Sequence, residues 1–169
     1  RVMQNILGLA SNGEGIEDTL MEQYEKGEIS TDDFITTILQ YASQETTREE
    51  VIAAWNTMHG GIPVHRLQQI QQWKAAGHRL FLLCNNNELH WEDIHQIYDM
   101  SVFEHCFASH LMHMSKPALN IYEAVDAYLK SLGCEQPFHF VDDIAINRHV
   151  AEILNWKTYA SLDELDAIL

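Results

Sequence analysis

The sequence predicts an α/β fold with a parallel sheet, preceded by a helical segment. Residues 1–60 show helical periodicity without a strand pattern, whereas short apolar runs alternate with helical stretches after residue 64. Strands that alternate with helices form βαβ units, and such units build a parallel sheet. The stretch HGGIPV (59–64) is rich in Gly and Pro and separates the two patterns. We therefore predict a helical domain in residues 1–62 and an α/β domain in residues 63–169.

Three helices are predicted in the N-terminal segment. The first carries Ile16, Leu20 and Tyr24 on one face. The third opens with Thr47 and has Glu50 three residues later, which is the spacing of a capping box. The second begins at one of two candidate N-cap residues, Ser30 or Thr31. The apolar stripes of the second and third helices are Phe34, Ile35, Ile38, Leu39 and Tyr41, and then Val51, Ile52, Trp55 and Met58.

Four strands and five helices are predicted in the α/β segment. The strands are RLFLLC (79–84), VFEHCFAS (102–109), PFHFVDD (137–143) and KTYA (157–160). The first is an unbroken apolar run, which suits a parallel strand buried on both faces. The helices are VHRLQQIQQWKAAG (64–77), WEDIHQIYDM (91–100), KPALNIYEAVDAYLKSLG (116–133), INRHVAEILNW (146–156) and a C-terminal helix. Pro117 is expected at a first helical position, and the stripe Ile121, Val125, Tyr128 and Leu132 is expected to face one way.

The composition argues against several classes of protein. The chain has 169 residues, of which 46% are hydrophobic and 21% charged, as in an ordinary globular protein. The formal net charge of −15 argues against nucleic acid as a partner, because phosphate backbones bind basic patches. The sequence contains no run of about 18 apolar residues, which a membrane-spanning helix would need. The three widely spaced cysteines, Cys84, Cys106 and Cys134, indicate reduced thiols and a cytoplasmic location.

Polar residues follow the predicted strands at the ends where open α/β sheets bind ligands. Residues 84–87 (Cys-Asn-Asn-Asn) follow the first strand, and Asp142 and Asp143 follow the third. Lys116 lies just ahead of the helix that precedes the third strand. Two adjacent carboxylates repel each other and need a cation or a basic partner. The set therefore suits Mg²⁺ together with an anionic group such as a phosphate.

The segments LFLLCNNNELH, MSKPALNIYEAV and FHFVDDIAINRHVAEILNW resemble, in that order, motifs II, III and IV of the haloacid dehalogenase (HAD) superfamily. They are most similar to subfamily I phosphatases with a helical cap, such as sugar-phosphate phosphatases. The resemblance implies a Rossmann-like parallel sheet in residues 63–169 and a cap in residues 1–62. It also implies Mg²⁺-dependent hydrolysis of a small phosphorylated metabolite, such as a sugar phosphate, through an aspartyl-phosphate.

On the phosphate side, the resemblance implies that Asn85 binds the transferring phosphoryl group, with Cys84 and Asn86 in the same loop. Lys116 would stabilise the nucleophilic aspartate and the phosphoryl oxygens. His90 matches a supporting histidine that often follows motif II in this group. Cys84 stands where the family usually has Ser or Thr, and a thiol is a poor hydrogen-bond donor. Phosphate binding would then rest on Asn85 and on backbone N–H groups.

On the metal side, the resemblance implies that Asp143 ligates Mg²⁺ directly. Asp142 is its acidic neighbour and would either join the metal site or pair with Lys116. Asn147 matches the last polar position of motif IV and would support the site.

Motif I of the family, D-x-D after a hydrophobic strand, has no match in this sequence. The acidic stretches TDDF (31–34) and LDELD (162–166) are predicted to lie in helices. In the family, the motif I strand lies between the strands that correspond here to RLFLLC and FHFVDD. We therefore expect the chain to be a fragment that lacks the central nucleophile strand and is inactive as given.

Two alternatives remain open. A non-catalytic HAD-fold protein that binds a ligand or regulates a partner would fit both Cys84 and the missing motif I. A 2-haloacid dehalogenase has the same fold but needs no metal, so the paired aspartates, which suit a metal site, count against this alternative.

Overall fold

The computed structural model describes residues 19–169, so the predicted helical position Ile16 lies outside the described residues. The chain divides into two units between His113 and Met114. Each unit contains a two-stranded parallel sheet with helices around it. The predicted α/β class with parallel strands is therefore confirmed. The predicted boundary near residue 62 falls within the first unit and stays a prediction.

Within residues 19–113, the first unit has three helices and then alternates helices with two strands. The helices are α1 (Leu20–Glu25), α2 (Thr31–Tyr41), α3 (Arg48–Asn56), α4 (Val64–Ala75), α5 (Glu88–Ile97) and α6 (Ser109–Met112). The strands are β1 (Phe81–Cys84) and β2 (His105–Ala108), and 3₁₀ turns lie at Thr57–His59 and Met100–Val102. The strands run parallel, with Phe81 opposite His105 and Cys84 opposite Ala108. This register brings the carboxyl ends of both strands to one edge of the sheet.

The helix starts follow the sequence closely. The Thr47 side chain accepts a hydrogen bond from the Glu50 N–H at 3.2 Å, and the Glu50 carboxylate accepts one from the Thr47 N–H at 2.9 Å. The predicted capping box of α3 is therefore confirmed. Of the two candidate caps for α2, the structure has Ser30, whose Oγ accepts from the Asp33 N–H at 3.1 Å.

An aromatic cluster forms the core of the first unit. The rings of Tyr24 and Phe34 stack with centroids 4.1 Å apart, and the Trp55 ring packs edge-on against Phe34 at 4.7 Å. The predicted stripe positions Tyr41 and Met58 are instead exposed by 54% and 50%. They lie at the last residue of α2 and in the 3₁₀ turn after α3, where the helical stripe has already ended.

The second unit has the same βα arrangement in a shorter form. Its helices are α7 (Leu119–Ser131), α8 (Ala145–Ile153) and α9 (Leu162–Asp166), and its strands are β3 (His139–Val141) and β4 (Lys157–Tyr159). The strands are parallel, with His139 opposite Lys157 and Val141 opposite Tyr159. Tyr122, Phe140 and Trp156 meet edge to face at 5.7–5.9 Å and fill the space between α7 and the sheet.

Two predictions about α7 are wrong. Pro117 is not the first helical residue, because α7 begins two residues later at Leu119. Tyr128 and Leu132 are exposed by 36% and 42%. The buried face comprises Ile121, Tyr122, Val125, Asp126 and Leu129. The predicted stripe shares Ile121 and Val125 with this face, but the buried face continues through Leu129 rather than through Tyr128 and Leu132.

Two further predictions need correction in the first unit. β1 is half-buried along its whole length rather than buried on both faces, since among the described residues it pairs only with β2. Helix α5 begins at Glu88 rather than at Trp91, because the Asn87 side chain accepts from the His90 N–H and caps the helix earlier. Within residues 19–169, every helix is too short or too polar to cross a membrane.

Asp126 is the polar centre of the second unit. Its Oδ1 accepts from Trp156 Nε1 at 3.0 Å and from Gln136 Nε2 at 2.8 Å, and its Oδ2 pairs with Lys130 Nζ at 2.5 Å. Burial by itself raises the pKa of Asp126, but the hydrogen bonds from Lys130, Trp156 and Gln136 outweigh burial and lower this pKa below 3.8.

We predict that Asp126→Asn lowers the free energy of unfolding at pH 7 by about 1–3 kcal/mol, because the ionised acceptor is lost. A carboxyl whose pKa is depressed by folding stabilises the protein above its ordinary value, and this stability is lost as the pH falls through the lowered value. The difference between the two proteins should therefore narrow below pH 3.8. Urea unfolding followed by Trp fluorescence measures the free energy of unfolding of both proteins. The control is Glu123→Gln, because Glu123 is exposed on the same helix. Equal stability at pH 7 would contradict the prediction.

Candidate functional site

Asp142 lies directly after β3 and is buried within a set of hydrogen-bond donors. Lys116 Nζ lies 2.6 Å from Asp142 Oδ2, and the two side chains are only 10% and 5% exposed. Asn147 Nδ2 lies 3.1 Å and 3.0 Å from the two carboxylate oxygens. The Ile144 N–H donates to Oδ1 at 2.9 Å. Of the two roles left open for Asp142, the structure has the pairing with Lys116.

The neighbouring Asp143 has a different environment. It is exposed, in contrast to the buried Asp142. Arg148 Nη1 donates to the backbone carbonyls of Asp142 and Asp143 at 2.7 Å and 2.9 Å, and so fixes the chain at this point. The predicted double aspartate therefore separates into one carboxylate neutralised inside the protein and one presented at the carboxyl end of β3.

A metal ion bound at Asp143 would find few protein ligands. Within residues 19–169, no group of three or more His, Cys, Asp or Glu side chains is arranged to hold a metal. Mg²⁺ tolerates such a site, because it keeps several waters and binds through one or two carboxylates plus a substrate phosphate. The exposed carboxylate of Asp143 thus fits Mg²⁺ better than a metal that needs a complete protein cage.

A buried hydroxyl completes the surroundings of Asp142. Tyr122 is fully buried, and its hydroxyl has no hydrogen-bond partner among residues 19–169. Burial and then the negative charge of Asp142 raise the pKa of Tyr122, so that the hydroxyl stays protonated. Sequence periodicity does not distinguish this tyrosine from an ordinary core residue.

The turn after β1 exposes one asparagine and buries the next two. Asn85 is exposed, whereas Asn86 and Asn87 are 8% and 1% exposed. The Asn86 N–H donates to Ser109 Oγ at 2.9 Å, and Asn86 Oδ1 accepts from the Asn87 N–H at 2.9 Å. The half-buried Cys84 directs its thiol to the Phe107 carbonyl at 3.7 Å. Asn85 is therefore the asparagine of this turn that is exposed to solvent.

Ser109 is a residue of this region that the sequence analysis missed. It is fully buried at the start of α6, and its Oγ lies 3.0 Å from the Asn86 carbonyl and 2.5 Å from the Glu25 carbonyl. His110 Nδ1 approaches the same Asn86 carbonyl at 3.2 Å. Ser109 therefore joins the turn to the end of α1. A serine that follows a strand has no pattern in the sequence that would identify this role.

His90 lies on α5, one turn beyond Asn85. Its Nε2 lies 2.8 Å from the Trp55 carbonyl and its Nδ1 lies 3.2 Å from Asn87 Nδ2. Burial is the main cause that lowers the pKa of His90 below 6.5, which favours the neutral ring. Both ring nitrogens therefore have hydrogen-bond partners within the protein, and His90 supports the turn through its contact with Asn87.

Comparison with known proteins gives several similar structures, while no family model matches the chain. A HAD family enzyme from Bacteroides thetaiotaomicron, solved with magnesium and inorganic phosphate, is 25% identical with a TM-score of 0.78; the match covers 97% of this chain and 87% of that one. A magnesium complex of this same enzyme is 27% identical with a TM-score of 0.76, over 95% of this chain and 82% of that one. A HAD-like family hydrolase from Porphyromonas gingivalis is 22% identical with a TM-score of 0.72, over 99% and 87% of the two chains, which shows the fold alone. The fold expected from the three motifs is confirmed.

We predict that Lys116→Met lowers the free energy of unfolding by about 3–5 kcal/mol, because it leaves the buried carboxylate of Asp142 without its counter-charge. The double variant Lys116→Met/Asp142→Asn should recover much of this loss, since it removes the charge as well. Chemical denaturation measures both, and the exposed Lys74→Met is the control. A single variant as stable as the natural protein would show that Asp142 is solvated.

Proposed function

We propose, for a chain that belongs to the haloacid dehalogenase superfamily, that the protein is a Mg²⁺-dependent hydrolase of small phosphate monoesters. The observation that carries the proposal is the contrast between the two adjacent aspartates. Lys116 neutralises the buried Asp142, and Asp143 is left exposed at the ligand-binding end of β3. An exposed carboxylate, beside one whose oxygens already have partners within the protein, suits a cation that prefers oxygen ligands.

The proposed metal site rests on Asp143. The HAD family enzyme from B. thetaiotaomicron binds magnesium and inorganic phosphate together, which supports the same pair of ligands here. Asp143 would hold Mg²⁺, and the ion would offset negative charge on the phosphoryl oxygens. Asp142 would contribute indirectly by holding Lys116 in place, with Asn147 keeping the Asp142 carboxylate oriented.

The proposed phosphate contacts come from two residues. Asn85 would donate an amide N–H to a phosphoryl oxygen, because it is the exposed residue of its turn. Lys116 would place its positive charge beside the transferring group, where electrostatic stabilisation is most effective. Cys84 and Asn86 would shape the turn, since the Cys84 thiol and the Asn86 Oδ1 have partners within the protein.

The reaction would proceed through an aspartyl-phosphate, a covalent route that divides hydrolysis into two easier steps. Its nucleophile would be a motif I aspartate, a role that we assign to none of residues 19–169. The helices of residues 1–62 would form the cap that selects the substrate, for which a sugar phosphate is our choice. The reduced thiols of Cys84, Cys106 and Cys134 support a cytoplasmic location.

A second candidate is a HAD-fold protein that binds phosphate without cleaving it. The observation that favours it is Cys84, whose thiol replaces the usual hydroxyl and points to a β2 carbonyl. A 2-haloacid dehalogenase is the weaker alternative, because such an enzyme needs no metal and would not use the exposed carboxylate of Asp143 as a metal ligand.

We predict that the full-length protein hydrolyses p-nitrophenyl phosphate or a sugar phosphate with Mg²⁺ and loses this activity in EDTA. Asp143→Asn should lower kcat/KM by about 100-fold or more, because a charged group at the reacting centre is lost. Its matched control is the exposed Glu135→Gln in the same unit.

The outcomes separate the candidates. Activity on a haloacid that persists in EDTA would overturn the phosphatase proposal in favour of the dehalogenase. Mg²⁺-dependent binding of inorganic phosphate without turnover of any ester would favour the non-catalytic protein.

A further inference from the structure

Three residues close a ring of hydrogen bonds between α3 and the turn after β1. Trp55 Nε1 donates to Asn87 Oδ1 at 3.1 Å. Asn87 Nδ2 lies 3.2 Å from His90 Nδ1, and His90 Nε2 lies 2.8 Å from the Trp55 carbonyl. A carbonyl can only accept, so Nε2 carries the hydrogen of the His90 ring and Nδ1 accepts from Asn87. Each residue therefore donates to the next one around the ring.

The ring is buried and reinforced. Trp55 and Asn87 are each 1% exposed, and the rings of Trp55 and His90 stack with centroids 5.2 Å apart at an angle of 18°. Asn87 Oδ1 also accepts from the His90 N–H at 3.1 Å, which caps α5. Breaking one bond of a buried network leaves the remaining groups unsatisfied, which is costly. The ring of hydrogen bonds therefore fixes Asn87 relative to α3.

Asn87 in turn fixes the residues that precede it. The Asn87 N–H donates to Asn86 Oδ1, and the Asn86 N–H donates to Ser109 Oγ, both at 2.9 Å. Asn85 lies between the end of β1 and these two held residues. The position of its backbone therefore depends on the contacts of Asn86 and Asn87 as well as on its own.

We propose that Trp55, Asn87 and His90 are positioning residues for Asn85. A helix of the predicted cap thereby sets the orientation of the side chain that binds the phosphoryl group. This inference rests on the proposed function, and it adds a set of residues that act on the reaction without touching the substrate.

The ring requires a neutral His90. A protonated ring carries hydrogen on both nitrogens, so Nδ1 would face the Asn87 NH₂ group with no acceptor between them. Rotating the amide would instead turn its NH₂ group toward two other donors, Trp55 Nε1–H and the His90 N–H. The titratable groups that face His90 are the His59 ring, 5.4 Å away, and Asp93, which hydrogen-bonds His59 at 2.7 Å.

The direction of the pH dependence follows. Burial lowers the pKa of His90, so the ring is intact above the ordinary value of 6.5 and breaks as the pH falls through the lowered value. His90→Gln keeps one donor and one acceptor but does not titrate. It should therefore preserve the ring at pH values at which the natural protein has lost it.

The test compares variants of the full-length protein with Mg²⁺ and p-nitrophenyl phosphate. Trp55→Phe and His90→Ala should lower kcat by about 10- to 100-fold with little change in KM, because a misplaced Asn85 weakens transition-state contacts most. His90→Gln should restore most of the loss at pH 7.5 and move the acidic limb of the kcat profile to lower pH. The exposed His65→Ala on α4 is the control and should leave kcat unchanged.

A second readout does not depend on turnover. In ¹⁵N-labelled protein, the backbone and side-chain amide signals of Asn85 should shift in His90→Ala and return toward their original positions in His90→Gln. A natural protein that neither binds inorganic phosphate nor hydrolyses esters would refute the proposed function, while these signals would still decide whether the ring positions Asn85. Unchanged Asn85 signals in both Trp55→Phe and His90→Ala would overturn the inference. If both variants fail to fold, His90→Gln alone decides. The inference would then be overturned if this variant had the same acidic limb of the kcat profile as the natural protein, or the same pH dependence of the Asn85 signals.

Discussion

The buried pair of Lys116 and Asp142 is the interaction on which the proposed site depends. Two adjacent carboxylates would repel each other if both were ionised without compensation. Lys116, at 2.6 Å from Asp142, removes that conflict and leaves Asp143 exposed. The cost of burying the pair is met by the additional hydrogen bonds from Asn147 and the Ile144 N–H, without which a buried ion pair is unfavourable.

The turn after β1 shows the same contrast between a buried residue and an exposed neighbour. Asn86 and Asn87 are buried and satisfied within the protein, whereas their neighbour Asn85 is exposed. Asp142 and Asp143 show this contrast after β3. In both places a residue that is held by its own hydrogen bonds lies next to an exposed neighbour in the chain. Rigid support for an exposed polar group is the arrangement that precise binding of an anion or a cation requires.

The predictable parts of the structure are those governed by local or strongly patterned interactions. The capping box of Thr47 and Glu50 depends on residues three positions apart, so the sequence alone determines it. The polar residues after β1 and β3 could be chosen as candidates because ligands bind at the carboxyl ends of strands in open α/β sheets. The roles of Ser109 and Asp126 could not be predicted, because they depend on partners that are distant in the sequence. These are Glu25 and Asn86 for Ser109, and Gln136 and Trp156 for Asp126. Each is a polar residue buried among donors or acceptors that only the folded chain brings together.

The contacts of α5 explain why the helices before residue 62 and the strand β1 belong to one unit. The Leu89 N–H at the start of α5 donates to the Tyr24 hydroxyl at 3.2 Å, and Asp93 on its second turn bonds His59 at 2.7 Å. Trp55 joins the same helix through Asn87 and His90. Because the helix begins at the end of the turn that presents Asn85, a displacement of the preceding helices would be transmitted to this turn. The predicted cap and the candidate phosphate-binding turn are therefore joined through α5 by hydrogen bonds.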